Sequence, residues 1–331
     1  MIIRNKQMWK RILCLCISAL LLMTLTACGK AEPVSENIRV GALKGPTTLG
    51  ILNLMEKSKQ GETFDTYEFQ MAVGADELLP LMIKGELDIA LVPANVASSL
   101  YAKTEGNIQV IDINTLSVLY LVTGTAEVTS VADLKGKTLY LTGKGTTPEA
   151  SIRYLLAENG LNEGDCTLEF KSEATEVAAL LAQDPDAVGL LPQPFVTAAM
   201  MQNEALKVVV DLEEAWQQAT GSGMVTGVTI VRKDFAKDHK EAVDRFLEEH
   251  SLSVDAILAD PAKGATLAVE AGIVAKEPIA QKAIPKCHLA CVRGQEMKES
   301  LEQYLKVLEG FKKELIGGQL PGDDFYYLGG K

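Results

Sequence analysis

The sequence predicts an α/β protein built from two sheets, and three observations carry that expectation. From residue 38 onward, short β-rich runs alternate with helical periods, the pattern of an open, mainly parallel sheet with helices on its faces. The loops at 43–48 and 142–147 share one plan of strand, lysine, glycine, paired threonines and helix. Gly221-Ser222-Gly223 then interrupts the chain before one last strand and a mostly helical remainder.

The elements follow in order. IRVGAL (38–43) is a strand, and Gly45-Pro46-Thr47-Thr48 opens a helix running to Lys57, with Pro46 preset for a first turn. YEFQMAV (67–73) and DIALVP (88–93) are strands, separated by the helical ADELLPLMIKGE (75–86) and followed by the helix ANVASSLYAK (94–103). NIQVIDI (107–113) and VLYLVTG (118–124) are further strands. A helical turn at 130–134 leads into GKTLYLTG (136–143), and Thr146-Thr147-Pro148-Glu149 starts a helix that stops at Gly160. CTLEFKS (166–172), DAVGLLP (186–192) and LKVVVDL (206–212) are strands, with helices at 176–183 and 195–201 between them. VTGVTIVRK (225–233) is the last long strand, and helices cover 239–258, 262–271 and 294–314. The spacing places a second half, residues 125–223, inside a first half made of 38–124 and 224–331, with crossings near 124–130 and 220–225.

Length and composition bound the function. At 331 residues, with 47% apolar and 23% charged residues, the chain buries a core of normal size. Its net charge is −12, and residues 1–27 carry four bases (Arg4, Lys6, Lys10, Arg11) and no acid, so removing them leaves −16. That charge repels nucleic acid and anionic lipid. Aromatics make up only 5%, which leaves little material for recognition by stacking.

The N-terminus has the order of a secretory signal: basic residues to 11, then the apolar run Ile12–Ala27, shorter than the ~20 residues that span a bilayer as a helix. It ends Leu25-Thr26-Ala27-Cys28-Gly29, which resembles the bacterial lipoprotein lipobox. That resemblance implies removal of 1–27 and a lipid on Cys28. Residues 28–37 form a polar tether.

Beyond the signal remain Cys166, Cys287 and Cys291, an odd number that cannot all pair within one chain. IPKCHLACV reads as a buried strand with both cysteines on one face, against the alternatives of a metal site or a Cys287–Cys291 disulfide. His239 and His250 sit in the charged stretch KDHKEAVDRFLEEHS and read as a solvated helix face. Glu213-Glu214, Glu248-Glu249 and Asp323-Asp324 read as wet surface. There is no G-x-S-x-G elbow, no H-E-x-x-H, no P-loop and no dinucleotide G-x-G-x-x-G.

In open α/β sheets, ligands bind beyond the carboxyl ends of the strands, where helix N-termini point. The loops at 43–48, 93–95, 142–147 and 192–195 have that placement. Glycine allows close backbone approach, threonine hydroxyls and free N–H groups donate, and Lys44 and Lys144 add positive charge. The same residues are also ordinary turn and cap residues, so short βα turns without a ligand are the alternative.

Four segments, SVADLKGKTLYLTGKGTTPEASIRYLL (130–156), DIALVPANVASSLYAKT (88–104), LLPQPFVTAAM (190–200) and GGQLPGDDFYY (317–327), together resemble the ABC-transporter substrate-binding lipoproteins of the nitrate, sulfonate and taurine type, which are similar to thiamine-precursor binding proteins. The resemblance implies a type II periplasmic-binding-protein fold, two α/β lobes closing on a small polar or anionic solute about two hinge crossings. It also implies a permease and an ATPase as partners, a lipid-anchored extracytoplasmic location, a monomer, and no cofactor or catalysis. Cleft residues of that family map onto Thr47, Thr48, Asn95, Asn114, Thr115, Leu116, Thr146, Thr147, Gln193, Pro194 and Phe195, beside Lys44, Pro46 and Lys144 from the loop plan. A binding protein for a pyrimidine, riboflavin or other heteroaromatic vitamin precursor is the first alternative, with Phe195, Tyr101, Tyr120 and Trp216 as its stacking rings. A sensor without transport, and a histidine- and iron-using pyrimidine synthase, are the others.

Overall fold

The computed structural model describes residues 34–329 apart from Ala126, and the described fold lies in the compact unit Glu36–Lys331. The expected signal, Cys28 and the tether up to residue 33 lie outside the described residues. No helix among the described residues is long and apolar enough to cross a membrane.

The first sheet begins with β1 (Asn37–Leu43), β2 (Thr66–Ala72) and β3 (Ile89–Pro93), with β1 parallel to both others. Every residue of β3 is buried, which is why its sequence is a continuous apolar run rather than an alternation. Next comes β4 (Ile108–Leu116), and the chain then crosses at Ser117-Val118 into β5 (Leu119–Thr123). The second sheet adds β6 (Thr138–Leu141), β7 (Thr167–Phe170), β8 (Val188–Pro192) and β9 (Lys207–Asp211), in the order β7-β6-β8-β5-β9. The chain returns through β10 (Val225–Arg232), and β11 (Leu289–Val292) closes the first sheet in the order β11-β4-β10-β3-β1-β2.

The two sheets repeat one plan. Each has three parallel strands, and then one antiparallel strand supplied by the chain as it crosses over: β5 against β8, and β10 against β3. This corrects the expected first crossing. The segment 118–124 belongs to the second sheet, because β5 pairs with β8 and β9 and with no strand of the first.

Other local differences have physical reasons. The expected helix 46–57 is two pieces, Pro46–Leu49 and Leu52–Gln60. Ser253 bridges the break, its hydroxyl donating to the Gly50 carbonyl at 2.7 Å and accepting from the Leu54 N–H at 3.0 Å. An additional helix, Leu212–Thr220, begins where the Asp211 carboxylate accepts from the Glu213 N–H, so Glu213 and Glu214 lie in a first turn. Its Trp216 is fully buried, 4.9 Å ring to ring from Tyr154 and 5.1 Å from Tyr304, and is core rather than a binding ring. Tyr101 packs edge-on against Phe325 and bonds to Asp324. Asp323 and Asp324 are exposed, as expected, yet they pair with Lys298 and Lys233, tying down the C-terminal segment.

The cysteine segment also differs. Only Leu289–Val292 is strand; Cys287 ends the short helical turn Ile284–Lys286 and donates to the Ala283 carbonyl at 3.2 Å. Cys287 and Cys291 therefore do not share one strand face, and Cys166, Cys287 and Cys291 are all free thiols.

His250 reverses its expectation. Within the helix Lys240–Ala259, the residues Val243, Phe246, His250, Val254 and Ile257 follow one stripe at three- and four-residue spacing, all buried. His250 is 0% exposed, and only His239 is partly solvated, beside Glu36.

The largest core cluster runs through both sheets, taking Val92, Ala97 and Val228 from the first and Leu139, Leu155 and Leu190 from around the second. Asp88 anchors the first sheet. It is buried, and it accepts from the Arg39 N–H and guanidinium and from Arg232. Burial alone would raise its carboxyl pKa, but the bonds from Arg39 and Arg232 more than offset this and hold it below the usual carboxylate value.

Asp88→Asn should destabilise the protein by about 3 kcal/mol, because it leaves two guanidinium groups facing a neutral partner. The stability Asp88 supplies is complete above the unfolded carboxylate pKa of about 4 and is lost as pH falls through its lower folded pKa. Urea unfolding from pH 7 down to pH 2 should show that acid-dependent loss in the wild type and a smaller one in the variant.

Candidate functional site

The carboxyl ends of β3 and β4, the start of β10 and the loop after β6 converge, and they bring neutral polar side chains together inside the protein. Asn95 opens the helix Ala94–Lys103 that follows β3. Its amide donates to the carbonyls of Gly145 and Leu315, both at 3.1 Å. Thr147 is the first residue of the helix Thr147–Glu158 on the second sheet. Its hydroxyl is 3.1 Å from the Thr226 carbonyl on β10 and 3.3 Å from Asn95 Oδ1. One buried threonine thus joins the two sheets.

Beside it, Thr226-Gly227 forms the meeting point. Gly227 lies where a β-carbon would come within 2.5 Å of Thr47 Cγ2 and 2.6 Å of Asn114 Oδ1. Only glycine lets the β1 loop and the end of β4 close over β10 there. Asn114 is held from both sides: Thr115 donates to its Oδ1 at 2.9 Å, and its amide donates to Thr229 at 3.2 Å. Thr229 donates its own hydroxyl hydrogen bond to Asp112 Oδ1 at 2.7 Å, and Asp112 Oδ2 is 3.0 Å from His250 Nδ1. All five of these side chains are essentially fully buried.

Two hydroxyls in this cradle, Thr47 Oγ1 and Thr226 Oγ1, are buried with no hydrogen-bond partner, as is Ser117 Oγ on the crossing segment. A buried polar group left in that state costs about 1–3 kcal/mol. The cradle pairs these orphans with no ionised side chain and no nucleophile–base couple. It is suited to holding a polar group by hydrogen bonds.

A separate cavity of about 360 Å³ is lined by Tyr120, Gln193, Thr197, Met200, Lys282 and Lys286, among others. Gln193 turns its Oε1 to the Thr197 N–H and hydroxyl, at 3.3 and 2.8 Å. Burial, with Asp211 and Cys287 nearby, pushes the Tyr120 hydroxyl up to about 12, so it stays protonated. The two lysines come from the helix Glu277–Ala283 and the turn after it, opposite the helix Phe195–Gln202.

The structure therefore gathers Thr47, Asn95, Asn114, Thr115 and Thr147 in the cradle and sets Gln193 on the cavity. The other expected residues are placed differently. Lys44 and Lys144 are exposed, and the Lys144 ammonium lies over the Phe170 ring rather than in the cradle. Thr48 donates to the Leu43 carbonyl and Thr146 to the Gly143 carbonyl, so both hydroxyls stabilise their own turns. Pro46 sits in the first turn of its helix. Leu116 is 38% exposed at the end of β4. Pro194 follows a cis peptide bond, and Phe195 is packed among Val177, Leu181 and Val196 in the core under the second sheet. Thr48 and Thr146 bond to their own turns because βα loops place helix-cap hydroxyls back on the backbone as readily as toward a cleft. Thr226, Gly227 and Thr229 escaped the sequence reading because they lie in a strand. The signal was there: a glycine and two threonines inside VTGVTIVRK, where a fully buried strand has no solvent reason for them.

The comparisons agree with this architecture. A family model described as "Menaquinone biosynthesis" matches residues 61–306. Among solved structures, an ABC transporter from Parabacteroides distasonis is 23% identical with a TM-score of 0.73, over 88% of this chain and 98% of that one. The periplasmic aliphatic sulphonate binding protein of Escherichia coli is 14% identical with a TM-score of 0.72, over 90% and 94%. A Candida albicans protein with the generic periplasmic binding protein fold is 14% identical with a TM-score of 0.59, over 87% and 92%. No curated protein matches the sequence. The fold is that of the periplasmic binding proteins, as expected, with two mixed α/β sheets.

Gly227→Ala should lower stability by about 1–3 kcal/mol through overpacking against Thr47 and Asn114. Gly45→Ala, with extended backbone and nothing within 4 Å of the added methyl, should be close to neutral. Thermal unfolding of the two variants checks the contrast, and equal midpoints would disprove the close approach.

Proposed function

The chain belongs to the menaquinone-biosynthesis family, and we propose that within it this protein is a solute-binding component of an ABC importer rather than an enzyme. It works outside the cytoplasm, held at the membrane by a lipid on Cys28, and as a monomer delivers its solute to a permease driven by an ATPase. The two lobes are the halves around the two sheets, and the hinges are the crossings at Ser117-Val118 and between Thr220 and Val225. The observation that carries this reading is Thr147. It bonds from the second sheet to Asn95 and to the Thr226 backbone on the first, at a place where two further hydroxyls are buried without partners. A solute that supplies those missing hydrogen bonds favours the closed arrangement over an open one, and that difference in affinity is what drives closure.

The cavity narrows the solute class. Lys282 and Lys286 face an otherwise apolar wall that includes Tyr120, Val196 and Met200. That combination suits a small organic anion with an apolar or aromatic body, its polar group reaching Gln193. Tyr120 is the one ring of the four suspected for stacking that lines this cavity, and it favours the heteroaromatic vitamin-precursor alternative as the second reading.

A thermal-shift panel on the purified protein tests both readings, with nitrate, taurine, alkanesulfonates, phosphonates, pyrimidines, riboflavin and amino acids. A true solute at 100 times its Kd adds about 2.7 kcal/mol. For a chain of this size the midpoint moves by roughly 2–4 °C per kcal/mol. Lys282→Ala/Lys286→Ala should abolish the shift for an anion while leaving the ligand-free midpoint within a degree or so, and a retained shift would remove the lysines from the site. A flat panel, with no small molecule released from the denatured protein, counts against the binding reading. For the anchor, Cys28→Ala should move the protein from the membrane fraction to the soluble extracytoplasmic fraction.

A further inference from the structure

Beneath the cradle, three side chains that no part of the binding reading uses come together in the core. Asp112 lies in the middle of β4, Cys291 lies on the neighbouring antiparallel β11, and His250 projects from the helix Lys240–Ala259 packed over them. One donor atom from each falls within 4.8 Å of the others. We propose that Asp112, His250 and Cys291 form a binding site for a divalent zinc-like cation.

Geometry supports it first. Ligand bonds of about 2.0–2.3 Å in a tetrahedral arrangement set donor atoms roughly 3.3–3.8 Å apart. Asp112 Oδ2 and His250 Nδ1 are 3.0 Å apart and all three donors fall within 4.8 Å, so around an ion that pair opens by a few tenths of an ångström and Cys291 closes by up to about 1 Å. The donor set comes next. Carboxylate, imidazole and thiolate together suit zinc, whereas calcium and magnesium prefer oxygen alone. Charge balance is the third support. A carboxylate and a thiolate, the thiol's proton passing to solvent as the metal binds, supply two negative charges against the two positive charges of the ion, and an imidazole coordinates as a neutral ligand. The site would be electrically closed inside a region that solvates charge poorly.

The surroundings fit as well. Asp112 is oriented by the Thr229 hydroxyl on its Oδ1, and Thr229 is held in turn by Asn114, the layer of outer hydrogen bonds that metal carboxylates carry. His250 is completely buried, and its Nδ1 faces the Asp112 carboxylate at 3.0 Å, which turns that ring nitrogen into the cluster. Cys291 makes only a long contact, 3.7 Å, to the Leu247 carbonyl. Three protein ligands leave a fourth coordination position for water or a small anion.

Cobalt provides the probe. After treatment of the purified protein with a chelator, one equivalent of Co²⁺ should produce a thiolate-to-cobalt charge-transfer band, and equimolar Zn²⁺ should bleach it. Cys291→Ser should lose the band and Cys287→Ser should keep it. Because Cys291→Ser removes a half-buried group and could fold poorly, Thr229→Val gives a second reading. It keeps all three ligands and should weaken cation affinity about 10-fold or more. Absence of any band in the wild type, a band that survives Cys291→Ser, or an unchanged affinity in Thr229→Val would each overturn the proposal. None of these measurements depends on the solute, so the site can fail while the binding reading stands, and the reverse.

Discussion

The fold depends on a single constraint: β10 must lie between β3 and β4. It is buried along almost its whole length and paired antiparallel on both sides, and this pairing satisfies its backbone while the neighbouring strands shield its apolar residues. Yet β10 follows more than a hundred residues after β3, and those residues build a second sheet. The chain must therefore leave the first sheet after β4 and return before β10. Among the described residues, the entry and exit segments are the covalent links between the halves. The returning strand brings Thr226-Gly227 to the place where the β1 and β3 loops end and where Thr147 reaches across, so the cradle forms immediately after the second crossing.

The distribution of charge separates the anchors of the first sheet from the cradle. Two of the three buried carboxylates among the described residues are matched by guanidinium, Asp88 by Arg39 and Arg232 and Asp65 by Arg245, whereas Asp112 meets Thr229 and His250. Such pairs are costly to break and suit a permanent anchor. The cradle between the sheets has only amides, hydroxyls and carbonyls, which can exchange protein partners for a solute or for water without stripping the solvation from an ion. Lys282 and Lys286 are the only charged residues among those lining the cavity.

Much of the architecture was legible in the sequence. The helix at 94–103 and the strand at 89–93 lie where the apolar run and the following small residues place them, because a buried parallel strand is apolar on both faces and a helix start is marked locally. The strand at 119–123 was readable as a strand but not as a member of the second sheet, since LYLVT would be equally buried in either. His250 was misread for a different reason. Charged neighbours dominate the composition of its segment, while the residue itself keeps phase with Val243, Phe246 and Ile257. Periodicity, not local polarity, decides which face a helical residue occupies. The paired-threonine loops were found, but within each pair the outcome split: Thr47 and Thr147 enter the cradle, while Thr48 and Thr146 bond back to their own turns.

By itself, the sequence determined the alternation of strand and helix, the acidic surface and the βα loops in which polar groups end, because each is set by neighbours within a few residues. Only the tertiary structure decided which sheet takes β5, that a glycine in β10 lets Thr47 meet Asn114, and that Asp112, His250 and Cys291 share one small volume. Those outcomes depend on strands and helices separated by tens to hundreds of residues packing to one density, and nothing local records which partner each will meet.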